Sequence, residues 1–192
     1  MARILAFAGC TRRDSFNKRI VEVAAEAARA AGADVEVVDL QDYPMPLFDQ
    51  DQEASFGKPE AARQLKAKMI ASDGFLIASP EYNGSITGVL KNTIDWVSRP
   101  HEGEARPGLA AFRGKVVTLM SASPGGLGGL RSLAHLRDIL AGVGCIVMPQ
   151  QVAVPAAHEQ FEETTGALKS EGIRLRLEAL GTSLADFIDR IG

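Results

Sequence analysis

The segment Arg3-Ile-Leu-Ala-Phe-Ala-Gly-Cys-Thr-Arg-Arg-Asp-Ser-Phe-Asn17 begins as an apolar run and continues as a polar loop, and it decides the fold. Apolar residues then recur at helical spacing over residues 18–31, which predicts an amphipathic helix after the loop. Gly32 ends that helix, and residues 35–40 return to the apolar pattern of a strand. The chain therefore opens with a strand–helix–strand unit, whose two strands we expect to run parallel.

The same alternation continues along the rest of the chain. It predicts strands at residues 74–80, 115–121 and 145–149, and helices at 60–71, 86–98, 130–141 and about 164–191. Residues 101–114 are expected to form an exposed excursion before the fourth strand. The 192 residues predict one domain, 1–192, of the α/β class, with a five-stranded parallel sheet and helices on both faces.

Composition and charge argue against several classes of function. The formal net charge is −3, and acids and bases are interspersed, so we expect no nucleic-acid partner. The apolar run at residues 4–8 is too short to span a membrane and has no signal-peptide context, which predicts a cytoplasmic protein without a membrane partner. Cys10 and Cys145 lack metal-ligand spacing, so we expect no metal site and, if the protein is an enzyme, a non-metal cofactor.

Three loops of unusual composition follow the first, third and fourth predicted strands, at residues 9–17, 80–85 and 121–129. Ligands of such sheets bind at the carboxyl ends of the strands, where these loops lie. The first loop brings hydroxyls and guanidinium groups to a helix N-terminus, which favours a bound phosphate. It is neither a P-loop nor a Gly-x-Gly-x-x-Gly loop. A simple helix cap by Ser15 or Asn17, with Arg12 and Arg13 solvated, is an equal alternative from the loop alone.

The second loop and its helix, Ser79-Pro-Glu-Tyr-Asn-Gly-Ser-Ile-Thr-Gly-Val-Leu-Lys-Asn-Thr-Ile-Asp-Trp96, resemble the signature of the NAD(P)H-dependent FMN reductase family, which includes quinone and chromate reductases. The first loop is similar to the family's phosphate motif in Gly9, Arg12, Ser15 and Asn17. Residues 123–131 are similar to its third loop. Cys10 departs from the family, which usually has a serine there, and a thiol is a weaker hydrogen-bond donor than a hydroxyl.

This resemblance implies a flavodoxin-like three-layer sandwich that binds FMN non-covalently and takes electrons from NADPH or NADH. It implies a homodimer or homotetramer, in which the helix carrying Trp96 packs near the partner's flavin. The apolar pattern itself favours a core or subunit-contact role for Trp96 over a part in a cofactor site. No side chain is expected to act as a catalytic acid or base. The residues implied to bind the cofactor are Cys10, Arg12, Ser15, Phe16, Asn17, Pro80, Glu81, Tyr82, Asn83, Gly84, Ser121 and Ser123.

A reductase and a flavodoxin-like electron carrier without its own substrate share this fold, so the fold cannot separate them. The chain has two tyrosines and one tryptophan, and the third loop has no aromatic residue, so we expect one flavin face to stay open. An open face suits hydride transfer from a nicotinamide and then to a small acceptor such as a quinone, chromate, an azo compound or free flavin, by a ping-pong mechanism. Loss of tight FMN binding in favour of a structural role is a third possibility.

Overall fold

The computed structural model describes residues 1–100, 103–104, 108–162 and 164–192. The described residues form five strands and six α-helices, which alternate along the chain except that two helices separate the second strand from the third. In order they are β1 (Arg3–Ala8), α1 (Phe16–Ala30), β2 (Asp34–Asp39), α2 (Gln50–Phe56), α3 (Glu60–Ala71), β3 (Gly74–Ala78), α4 (Gly88–Val97), β4 (Val116–Ala122), α5 (Leu130–Gly142), β5 (Ile146–Val154) and α6 (Glu171–Ile191). Short 3-10 turns follow β2 and β5.

The five strands form one sheet in the order β2-β1-β3-β4-β5, and every neighbouring pair is parallel. This order is that of flavodoxin-like folds, in which the chain reverses its direction of travel across the sheet between β1 and β3. The reversal opens a crevice at the carboxyl ends of these two strands, because their following loops leave toward opposite faces. The predicted α/β class and five-stranded parallel sheet are confirmed.

Each face of the sheet carries its own apolar layer, because side chains alternate between the two faces along a strand. Ile4 and Ala6 pack with α1 and α6 on one face. Leu5 and Phe7 pack with α3, α4 and α5 on the other. The predicted three-layer sandwich is confirmed. Within the described residues, no helix is long and apolar enough to cross a membrane.

Helix α2 (Gln50–Phe56) was not predicted from the sequence. None of its seven residues is buried, so it has no apolar stripe to produce a periodic signal. The local sequence signals for this helix are confined to its two ends. The Asp49 carboxylate accepts hydrogen bonds from the amides of Asp51 and Gln52, and Gly57 ends the helix at a φ of 74°.

Strand β5 continues to Val154, so the predicted end at Pro149 is wrong. Its register with β4 shifts between Val117, which pairs with Val147, and Leu119, which pairs with Gln151. Pro149 lies in the irregular stretch between these pairs, where the missing proline N–H breaks no ladder hydrogen bond. The strand is at the edge of the sheet, which tolerates such a bulge.

The last helix begins at Glu171, so the prediction of a helix from about residue 164 is wrong at its N-terminal end. Gly166 has a φ of 69°, and Phe161 forms an isolated bridge with Leu168, so the chain turns before it enters the helix. The Ser170 side chain then accepts a hydrogen bond from the Ile173 amide as the N-cap. Residue 163 lies outside the described residues.

The expected exposed excursion at residues 101–114 is partly wrong. Ala111 and Phe112 are buried in the core beside α5, and Phe112 is only 1% exposed. Glu104 forms a buried ion pair with Lys66, which also donates hydrogen bonds to the carbonyls of Arg99 and Gly108. Residues 101–102 and 105–107 of the excursion lie outside the described residues.

Helices α1 and α6 approach closely at Gly181. A Cβ atom built at Gly181 would lie 1.9 Å from the backbone oxygen of Ala24, which leaves no room for a methyl group. At Gly172, near the start of the same helix, a Cβ atom would meet nothing within 4 Å. The two glycines of α6 therefore differ in packing.

We predict that Gly181→Ala destabilises the protein although alanine is the better helix former. The helix-propensity gain is about 1 kcal/mol, while the backbone clash forces α6 away from α1 at a cost of about 1–3 kcal/mol or more. Urea denaturation should show a lower free energy of unfolding. The matched variant Gly172→Ala should not lower it, and equal effects of the two substitutions would contradict the close approach.

Candidate functional site

The three loops predicted from the sequence meet in one cleft of about 210 Å³ at the carboxyl ends of β1, β3 and β4. Its lining residues are Cys10, Arg12, Ser15, Phe16, Asn17, Pro80, Glu81, Tyr82, Ala122, Ser123 and Pro124. Wider grooves of about 460 and 750 Å³ lie beside the chain termini and between α1 and α6. Neither groove is lined by the loops that follow β1, β3 and β4, so the smaller cleft is the candidate site.

The first loop forms a cradle of hydrogen-bond donors at the N-terminus of α1. Within the described residues, the backbone N–H groups of residues 11–16 have no hydrogen-bond partner. The Ser15 hydroxyl accepts hydrogen bonds from the Asn17 amide (3.2 Å) and the Cys10 thiol (3.0 Å), which leaves its own proton to donate. In the described part of the chain, no carboxylate lies within ion-pair distance of the Arg12 guanidinium. This guanidinium lies over the Phe16 ring, 5.4 Å from its centre. The helix dipole and these donors together favour a phosphate.

Asn17 ties the start of α1 to the end of β4. Its side-chain Nδ2 donates to the Ala122 carbonyl (2.8 Å), and the Ala122 amide donates to its Oδ1 (3.0 Å). Both partners are buried, so this paired contact satisfies groups that would otherwise be costly to bury. The carboxamide thereby sets the distance between the first and third loops.

Cys10 lies at the base of the cradle and is buried. Burial raises the pKa of its thiol above the ordinary value, although the hydrogen bond with Ser15 opposes this shift. Burial also raises the pKa of the Cys145 thiol, to about 12. Both thiols therefore stay protonated at neutral pH, and the nucleophilic thiolate is scarce.

The second loop is a tight turn. Tyr82 and Ser85 exchange backbone hydrogen bonds, and the two residues between them have positive φ, 51° at Asn83 and 79° at Gly84. The Thr87 side chain caps α4 and donates to the Gly9 carbonyl, which joins this loop to the first. The Tyr82 side chain stands out from the turn and is 54% exposed.

The third loop approaches the second through a carboxylate. Glu81 Oε1 accepts from the Arg131 side-chain Nε (2.7 Å), and Oε2 accepts from the Arg131 backbone amide (3.1 Å). Burial alone would raise the pKa of Glu81, but Arg131 and the backbone amides outweigh it and hold the pKa below its usual range. Ser123 Oγ accepts from the Gly125 amide (3.3 Å) and helps to shape this loop.

Nine of the twelve residues expected from the sequence line the cleft, whereas Asn83, Gly84 and Ser121 do not. The first two form the tip of the turn. Ser121 is fully buried, its Oγ has no partner among the described residues, and a Cβ at Gly129 would lie 1.8 Å from it. Ala122 and Pro124 line the cleft without having been singled out, although both lie in the predicted third loop.

Trp96 is not part of this cleft. It is only 1% exposed, its Nε1 donates to the Pro46 carbonyl (2.7 Å), and its ring makes an edge-on contact with Phe48. Of the two sequence-based alternatives, the residue is therefore part of the core of this chain.

The sheet order and the position of the cleft define a flavodoxin-like α/β protein whose first strand is followed by a loop with unpartnered backbone amides. Residues 2–159 match the model of a family described as NADPH-dependent FMN reductase. The chain belongs to the NADPH-dependent FMN reductase family, and it is an oxidoreductase that uses FMN with a nicotinamide donor. The predicted family, enzyme class and cofactors are confirmed.

Relatives match nearly the full length of the chain. A 2-hydroxy-1,4-benzoquinone reductase from Burkholderia sp is 33% identical over 186 residues, which cover 97% of this chain and 96% of the relative. A quinone reductase from Escherichia coli K12 is 32% identical over 191 residues, covering 98% and 96%. The solved structure of FerB, a flavoenzyme NAD(P)H:(acceptor) oxidoreductase from Paracoccus denitrificans, has a TM-score of 0.80 at 27% identity and covers 99% of this chain and 98% of that one.

The residues of the cleft fit FMN. A phosphate suits the cradle of unpartnered amides, the Ser15 hydroxyl and the Arg12 guanidinium. The remaining lining includes the rings of Pro80, Tyr82 and Pro124, and its one carboxylate, Glu81, is paired with Arg131. This division of the cleft into an anionic-group end and an apolar end matches the two chemically different ends of the cofactor.

We predict that neither thiol of the native protein reacts with Ellman's reagent at mildly alkaline pH, because burial and the raised pKa values suppress the thiolate. Both thiols should react after denaturation in urea, and the absorbance of the released product counts them. The variant Cys145→Ala isolates Cys10. Rapid reaction of one thiol in that folded variant would show that Cys10 is an accessible nucleophile.

Proposed function

We propose that this protein passes a hydride from NADPH or NADH through non-covalently bound FMN to a small acceptor, by a ping-pong mechanism in which donor and acceptor use the same site in turn. Quinones are the primary acceptor class; chromate, azo compounds and free flavin fit the same open site. The two relatives described above are named for the reduction of quinones. When bound, FMN supplies a ring that can accept a hydride and pass it on.

The observation that carries this proposal is the lack of a second aromatic wall. Among the residues lining the cleft, Phe16 and Tyr82 are the aromatic ones. The Phe16 ring is already stacked on Phe161, with centroids 5.5 Å apart and planes 10° apart. Among the lining residues that the structure describes, Tyr82 is then the aromatic side chain left to cover a flavin face, so the opposite face stays accessible to a nicotinamide and then to a quinone.

The chain's own residues would bind and orient the cofactor. We propose that Arg12, Ser15 and the backbone amides of the first loop hold the phosphate. Asn17 contributes by keeping that loop against β4, because its carboxamide is engaged by Ala122. The second and third loops would border the isoalloxazine ring, and no side chain is needed as an acid or base for the hydride step.

The proposal includes a single domain, a homodimer or homotetramer, and a cytoplasmic location. The two free, buried cysteines fit a reducing compartment. An electron carrier on the same fold would bind FMN but would not turn over NAD(P)H and quinone, so steady-state kinetics separates the two functions.

We predict parallel lines in double-reciprocal plots when NADPH is varied at several fixed quinone concentrations, because each substrate leaves before the next enters. Excess quinone should inhibit competitively against NADPH, since both need the same open face. The reaction is followed by loss of NADPH absorbance with FMN-saturated protein. Intersecting lines would contradict a shared site, and no turnover with either nicotinamide would favour the electron carrier.

We predict that Arg12→Gln weakens FMN binding about 10- to 100-fold, the equivalent of one lost hydrogen bond to a charged group. The affinity for riboflavin, which has no phosphate, should not change. Quenching of flavin fluorescence on titration gives both dissociation constants.

The neighbouring Arg13 does not line the cleft, so Arg13→Gln is the matched control and should bind FMN nearly as the wild type does. An equal loss of affinity in both variants would indicate a general electrostatic effect. An equal loss for FMN and riboflavin in Arg12→Gln would place Arg12 away from the phosphate.

A further inference from the structure

We propose that Glu81 is a positioning residue: its carboxylate caps helix α5 from the second loop and thereby holds two walls of the cleft at a set distance. This inference rests on the proposed placement of FMN between those walls. It gives Glu81 a role through α5 in place of a side-chain contact with the cofactor.

The N-terminus of α5 has no cap of its own. Its N-cap residue is Gly129, with a φ of 90° and no side chain to accept a hydrogen bond. The first amides of a helix need acceptors, and the positive end of the helix dipole favours a carboxylate there. The Glu81 carboxylate accepts a hydrogen bond from the Arg131 backbone amide (3.1 Å), so the cap comes from a residue 50 positions earlier in the chain. The neighbouring Ser132 amide also contributes to lowering the pKa of Glu81.

The Arg131 guanidinium holds the Glu81 carboxylate in this capping position. The Arg131 guanidinium donates to Glu81 Oε1 through Nε (2.7 Å) and also lies against it through Nη2. The Glu81 side chain is 8% exposed, whereas that of Arg131 is 62% exposed, so arginine covers the carboxylate from the solvent side. Because its pKa is held below the usual range, this carboxylate is ionised at neutral pH, and each of its two oxygens accepts a hydrogen bond from Arg131.

A second contact joins the same two elements. The Ser132 hydroxyl interacts with the Ser79 carbonyl (3.2 Å) as well as with the Gly129 carbonyl (2.8 Å). A Cβ atom at Gly129 would meet Glu81 Cβ at 3.7 Å, which shows how closely the third loop lies against the second. Loosening the cap should therefore widen the cleft at its apolar end, where the flavin ring would lie, and leave the phosphate cradle unchanged.

The experiment compares Glu81→Ala, which removes the cap, with Glu81→Gln, whose amide oxygen can still accept from the helix amides. Glu171→Ala is the matched control, because Glu171 also pairs with an arginine, Arg174, but lies on α6 away from the cleft. Two quantities are measured: amide hydrogen exchange of Arg131 by NMR in the 192-residue chain without FMN, and the dissociation constants for FMN and riboflavin by fluorescence quenching.

In Glu81→Ala we expect exchange of the Arg131 amide to accelerate about tenfold or more, as for a lost hydrogen bond to a charged group. The affinities for FMN and riboflavin should fall by the same factor, again about tenfold, because the ring site changes and the phosphate site does not. Glu81→Gln should retain most of the amide protection and flavin affinity, and Glu171→Ala should match the wild type in both measurements.

Three outcomes would overturn the proposal. Unchanged amide exchange in Glu81→Ala would mean that no cap exists. Faster exchange with unchanged flavin affinities would mean that the cap does not position the cleft. Slow exchange in Glu81→Gln with flavin affinity as poor as in Glu81→Ala would mean that the carboxylate acts on the flavin directly.

If Glu81→Ala does not fold, Arg131→Ala is used in its place, since it keeps the amide cap but exposes the carboxylate. It should accelerate amide exchange less than tenfold and weaken FMN and riboflavin equally; unchanged exchange and unchanged affinities would overturn the proposal. Neither measurement uses NADPH or a quinone. Failure of the Glu81 proposal is therefore distinguishable from failure of the proposed function.

Discussion

Parallel pairing of β1, β3 and β4 is the constraint on which the rest of the structure depends. Parallel strands end at the same edge of a sheet, so three loops far apart in sequence must meet there. The loops are then joined by specific contacts: the Asn17 carboxamide joins the first to β4, Thr87 joins the first to the second, and Glu81 joins the second to α5. The sheet brings the loops together, and these polar contacts set their spacing.

The same contacts leave the two ends of the cleft with different electrostatic properties. Arg131 is neutralised by Glu81, whereas no carboxylate of the described residues lies within ion-pair distance of Arg12. An anion is therefore attracted to the end of the cleft at the N-terminus of α1, and the other end presents ring surfaces and a helix whose terminus is already capped. This asymmetry supports the proposed orientation of FMN, with its phosphate at the first loop and its flat ring at the other end.

The sequence predicted the elements whose residues are buried in a periodic pattern, because burial imposes that pattern. Strands β1, β3 and β4 are almost wholly buried, and helix α1 carries a regular apolar stripe. Helix α2 was missed because no residue of it is buried, and β5 was ended too early because a bulge accommodates Pro149. Phe112 was expected in an exposed segment, since nothing local shows that this segment folds back onto the core.

Local sequence alone determined the α/β alternation and the positions of the three loops, and it limited the candidate caps of α1 to Ser15 and Asn17, because each depends on neighbouring residues. The structure then assigned the cap to Ser15. The loop motifs also pointed to the family and hence to FMN. Only the tertiary structure decided which side chains face the cleft. In that structure the Ser121 side chain lies against Gly129, away from the cleft. The carboxylate of Glu81 and the carboxamide of Asn17 form hydrogen bonds with backbone groups distant in the sequence. Those partners lie 50 and 105 residues away, and hydrogen bonds over such separations leave no periodic trace in the chain.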